Sequence, residues 1–103
     1  MIGCIVQIVE IIDDSFYPGM CRAVLEDVYG KKHVILDKPP IFGFDLEKAG
    51  KPPFEGSIRC ELVQELGEQV VIDTENPDHI ESEEGDHVFT VSKSHVSIRQ
   101  NHC

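Results

Sequence analysis

A chain of 103 residues with a formal net charge of −10 holds one domain with a single modest core and excludes a second. Nine Lys and Arg are scattered among nineteen Asp and Glu, which argues against nucleic acid as a partner, since phosphate binding needs clustered basic residues. A hydrophobic content of 41% with five Phe argues against a disordered chain.

The predicted elements are strands. Gly3 to Asp13 is rich in β-branched residues and apolar on both parities, as in a long strand covered on two faces or curling round a barrel. A loop over 14–19 ends in the Pro18-Gly19 turn signal. Met20 to Val28 alternates, with Cys21, Ala23 and Leu25 on one face and Arg22 and Glu26 on the other. Tyr29-Gly30-Lys31 turns the chain into His33 to Asp37, so these two strands form a hairpin. Lys38 to Phe54 holds four of the six prolines, which forbid a central strand. It reads as a crossing loop laid on the barrel by Ile41, Phe42 and Phe44, with a helical turn at Asp45 to Ala49. Phe42, Phe44 and Phe54 serve as lid packing or, where exposed, as an apolar binding ledge.

Ser57 to Glu65 sets Ile58, Cys60 and Leu62 against Arg59, Glu61 and Val63, and Leu66-Gly67-Glu68 leads tightly into Gln69 to Asp73. Ile80 to Ser82 and His87 to Val91 suggest a short hairpin around Glu83-Glu84-Gly85-Asp86. Its core-facing residues are Ile80, Phe89 and Val91, or Val88 if the register slips by one. Ser92 to Cys103 is polar, so the domain is expected over 1–96 with a flexible tail at 97–103. The sum is an all-β fold, a small antiparallel, partly open β-barrel of the OB or SH3-like kind.

Met1 to Ile12 is apolar, yet no positive residue precedes it, Gln7 and Glu10 interrupt it, and it is too short to span a bilayer. The expected location is the cytoplasm, away from membranes. Of Cys4, Cys21, Cys60 and Cys103, three fall in predicted strands and no CxxC pair occurs, so buried thiols are expected, with neither redox motif nor zinc ribbon.

The run from Gly30 to Phe42, with Val71-Ile72-Asp73-Thr74 and Ile80-Glu81-Ser82-Glu83-Glu84-Gly85, resembles a group of small uncharacterised bacterial proteins. The resemblance covers most of 1–96 and implies an all-β domain. It carries no catalytic residue with it.

Chemistry is sparse. The chain has no GxSxG elbow, no HExxH and no Gly-rich phosphate loop, so no enzyme activity and no cofactor are expected. The informative stretch is acidic: Asp73, Glu75, Asp78, Glu81, Glu83, Glu84 and Asp86 occur with no Lys or Arg among them. Such a field attracts cations and basic proteins and repels phosphate backbones. Calcium-loop spacing is absent, because Pro77 and Asp78 occupy the places where the turn belongs. The first expectation is therefore a binding module for a basic protein, immunity-, inhibitor- or adaptor-like. The alternative is a divalent-metal protein using His79 and His87 with Glu81 and Asp86, placed near one another across the predicted last hairpin.

Overall fold

Alternation of buried and exposed side chains sets the sheet. In the computed structural model, which describes residues 2–13, 19–45 and 50–98, seven antiparallel strands form one curled half-barrel. They are β1 (Ile2–Asp13), β2 (Met20–Glu26), β3 (Lys32–Asp37), β4 (Phe54–Leu66), β5 (Gln69–Asp73), β6 (Val88–Ser92) and β7 (Val96–Ile98). The order is β3-β2-β1-β4-β5-β6, with β7 also on β1. Residues 2–4 of β1 pair with both β4 and β7, and Gln7 and Ile8 pair with both β4 and β2. One edge of β1 thus belongs to β4, and the other is shared by β2 and β7. The second apolar face of β1 is only partly covered: Ile5 and Ile11 are half-buried, and Val9 and Ile12 are exposed.

The inward residues follow the period-2 expectation: Cys4, Val6 and Ile8 on β1; Cys21, Ala23 and Leu25 on β2; Ile58 and Cys60 on β4; Val70 and Ile72 on β5; Phe89 and Val91 on β6. Arg22 faces outward and pairs with Glu10, its register partner on β1. Past Cys60, the last β4 residue paired with β1, the alternation ends, and a register shift between Leu62 and Gln64 then bends β4 along β5. Leu62 is therefore 41% exposed, not the core residue its spacing suggested. Gly67, at φ 70, gives the tight β4–β5 turn the left-handed backbone it needs.

The Pro-rich crossing begins with a 3-10 turn at Pro39–Phe42. Phe42 is 1% exposed and belongs to the core, which removes it from any binding ledge. Phe44 and Phe54 are half-buried, stacked edge to face at 4.9 Å, and packed on the core. The apolar ledge is thus corrected to lid packing. The helical turn expected at Asp45 to Ala49 falls mostly outside the described residues.

Two further differences lie near the carboxyl end. Ile80 to Ser82 is not a strand: β6 pairs with β5, and 74–87 is the connection between them. Lys93–His95 forms a 3-10 turn, capped by Ser92, that delivers β7 to β1, so the expected tail is ordered sheet as far as Ile98; 99–103 lie outside the described residues. No helix among the described residues is long and apolar enough to cross a membrane.

Candidate functional site: the acidic connection

The chain between Asp73 and Val88 is acidic on its surface and apolar at its anchor. Ile80 is completely buried, with Thr74 and Ser82 beneath the surface as well. Burying the Ile80 side chain contributes about 2–3 kcal/mol. Thr74 satisfies the backbone that this burial strands: its hydroxyl donates to the Ile80 carbonyl at 2.7 Å, and the His87 carbonyl lies 3.3 Å from it. The Thr74 amide donates to the His87 carbonyl at 2.8 Å, and the Ile80 amide returns to the Thr74 carbonyl at 3.0 Å.

The tip is equally fixed. The Ser82 amide donates to the Asp86 carbonyl, the Gly85 amide to the Ser82 carbonyl, and the Asp86 amide to the Ser82 hydroxyl. Gly85 sits at φ 87, a conformation that a side chain would strain. The Glu83 amide donates to the Val34 carbonyl at 2.8 Å, and the Val28 amide to the Thr90 carbonyl at 2.9 Å. These bonds tie the acidic connection to β3 and the β2–β3 hairpin to β6, across the mouth of the half-barrel.

The seven carboxylates do not share one environment. Asp78 accepts two hydrogen bonds from the Arg59 guanidinium, at 3.0 and 2.5 Å. Glu84 lies 3.5 Å from the Lys31 ammonium, an exposed pair. Asp73 lies 2.8 Å from His87 Nδ1, and Glu75 is 3.9 Å from Nε2. Asp73 is held below the usual carboxylate range by a hydrogen bond from the Glu75 amide and by the His87 imidazole. His87 is raised above the ordinary imidazole value, chiefly by the hydrogen bond to Asp73, and further by the charges of Asp73, Glu75 and Glu81. Glu81, Glu83 and Asp86 are exposed and have no ion pair among the described residues.

Of the four metal ligands inferred from sequence, the fold gathers His87 but not the other three. Among the described residues, the group of three or more His, Cys, Asp and Glu side chains with ligand atoms within 4.8 Å is Asp73, Glu75 and His87. His79, Glu81 and Asp86 stand outside it. His79 is exposed, at φ 52, and follows the Asn76–Pro77 turn instead of facing His87 across a ladder. The signal for the observed grouping was the i, i+2 spacing of Asp73, the last residue of β5, and Glu75 just beyond it.

One polar pair escaped the sequence reading. His33 Nε2 and Asp27 Oδ2 are 2.8 Å apart with both side chains buried, and the His33 ring lies 4.7 Å from that of Phe89. Burial acts to raise the Asp27 carboxyl, but the His33 hydrogen bond, the Lys31 and Tyr29 amides and the His33 charge together hold it low. No protein-family model, curated protein or solved structure matches this chain, so its reading rests on its own residues.

Proposed function

We propose that this chain is a non-enzymatic binding module that recognises a basic protein surface through the acidic connection between β5 and β6. The observation that carries the reading is that Glu81, Glu83 and Asp86 are exposed and unpaired among the described residues, on backbone anchored by Ile80, Ser82 and the Glu83–Val34 hydrogen bond. Backbone held this way needs little ordering on binding, which leaves only the side chains to be fixed. Complementary charge speeds encounter and selects the partner. Glu84 joins the set when a partner's cation displaces the exposed Lys31, because such pairs are worth only about 0–1 kcal/mol.

A partner of this kind is a cationic protein whose positive face is shielded, as by an immunity or inhibitor protein, or gathered into a complex, as by an adaptor. The test is affinity capture from the native host with the wild-type chain and with a Glu81→Lys/Glu83→Lys/Glu84→Lys variant. A basic protein captured at low salt only by the wild-type chain, and released by high salt, is the expected result. Equal capture of the same protein by both chains, unaffected by salt, contradicts the reading.

A further inference from the structure

The space between His87 and Glu75 has the dimensions of an ion. Their facing atoms, Nε2 and Oε2, are 3.9 Å apart, too long for a hydrogen bond. Two ligand atoms on one tetrahedral zinc, each about 2.0–2.1 Å from it, stand about 3.4 Å apart, so the gap is about half an ångström wider than such a pair needs. Bringing both atoms onto one ion at a bent angle requires only a small swing of Glu75, whose side chain is 52% exposed. On the other side of the ring, Nδ1 lies 2.8 Å from Asp73. With Nδ1–H donated to that carboxylate, the ring is fixed in orientation and the Nε2 lone pair is free for a cation. This is the carboxylate–histidine–metal relation found around bound zinc.

The frame holding these groups is backbone structure. Asp73 is the last residue of β5, paired with Val88 at the first position of β6, and the Thr74 amide to His87 carbonyl bond locks the next pair. We propose that His87 and Glu75 bind a divalent cation of the zinc class, with Asp73 orienting the imidazole and water completing the coordination. An imidazole with a carboxylate suits zinc better than calcium, which takes six or more oxygens. The ion would clip the two ends of the acidic connection together. It would take up charge at Asp73 and Glu75 and leave Glu81, Glu83, Glu84 and Asp86 to a protein partner. The cation site stands or falls independently of that partner.

Calorimetric titration with zinc alone tests it, on a His102→Gln/Cys103→Ser background so that terminal donors do not compete. One equivalent of zinc is expected to bind. Glu75→Gln and His87→Gln should each weaken binding by about tenfold or more, Asp73→Asn by about 10–100-fold, and His79→Gln not at all. Glu75 is exposed, so its variant keeps the fold and isolates the ligand; circular dichroism of each variant verifies this. Absence of saturable binding, undiminished binding in either Glu75→Gln or His87→Gln, or loss of binding in His79→Gln overturns the site.

Discussion

His33 and Asp27 meet at the base of the β2–β3 hairpin, Nε2 to Oδ2 at 2.8 Å, with side chains only 7% and 9% exposed. The other oxygen of Asp27 accepts the Tyr29 and Lys31 amides, at 2.9 and 3.0 Å. One carboxylate therefore folds the turn and anchors the histidine that packs on Phe89 of β6.

Acid should loosen this junction. Asp27 is depressed in the folded protein relative to its ordinary value near 3.8. A depressed carboxyl stabilises the fold above its unfolded-state value, and that stability is lost as pH falls through the folded one. Urea midpoints of the wild-type chain should fall below about pH 4 more steeply than those of Asp27→Asn. At pH 7, Asp27→Ala strands His33 and two turn amides and should cost about 3 kcal/mol. Parallel acid profiles for the wild-type and Asn chains would show that the junction contributes nothing.

The acidic connection should be as stable as its anchor. Ile80→Ala removes a completely buried side chain and should destabilise by about 2–5 kcal/mol. Thr74→Val preserves shape but leaves the Ile80 carbonyl without the hydroxyl at 2.7 Å, for a loss of about 1–3 kcal/mol. By contrast, Lys31→Ala breaks only an exposed pair and should change stability by under about 1 kcal/mol. Chemical denaturation of the three variants ranks them.

Burial should silence the thiols. Burial, joined by the Cys60 charge, pushes Cys4 to about 12, and burial alone carries Cys60 to about 12. Burial and the neighbouring Asp37 push Cys21 to about 11. Thiolate is the reactive form, so these cysteines should resist a disulfide reagent at pH 8. In a Cys103→Ser chain, no thiol should react before denaturation and three should react after it. Rapid labelling of the native protein would show that the strands open.

Much of this was legible in the sequence, because period-2 burial dominates. Gln69 to Asp73 has the expected bounds, and β1 to β4 differ from expectation by one to three residues at their ends. Ile80, Phe89 and Val91 are the core residues their alternation indicated, while Val88 stays exposed. What misled was the same pattern at Ile80-Glu81-Ser82. Buried, exposed, buried residues imitate a strand, yet here the inward residues plug the half-barrel and their backbone bonds go to Thr74 and Asp86. The bend at Val63 and the pairing of β7 were illegible for a related reason. Both depend on which strand lies across the barrel, and local alternation carries no such information.

The candidate site was legible in charge but not in pairing. That the acids lack basic neighbours in sequence says nothing of Arg59 on β4 and Lys31 in the β2–β3 turn, which approach Asp78 and Glu84 from elsewhere in the fold. Tertiary contacts thus divided a uniform run into a paired set and an exposed one.

The association rate with the captured basic protein, followed over increasing salt, tests the central claim most directly. If the exposed carboxylates of the β5–β6 connection guide the encounter, the rate should fall steeply as the screening length shrinks below about 10 Å, and the Glu81→Lys/Glu83→Lys/Glu84→Lys chain should associate slowly at every salt concentration. A rate indifferent to salt and to that substitution would contradict it.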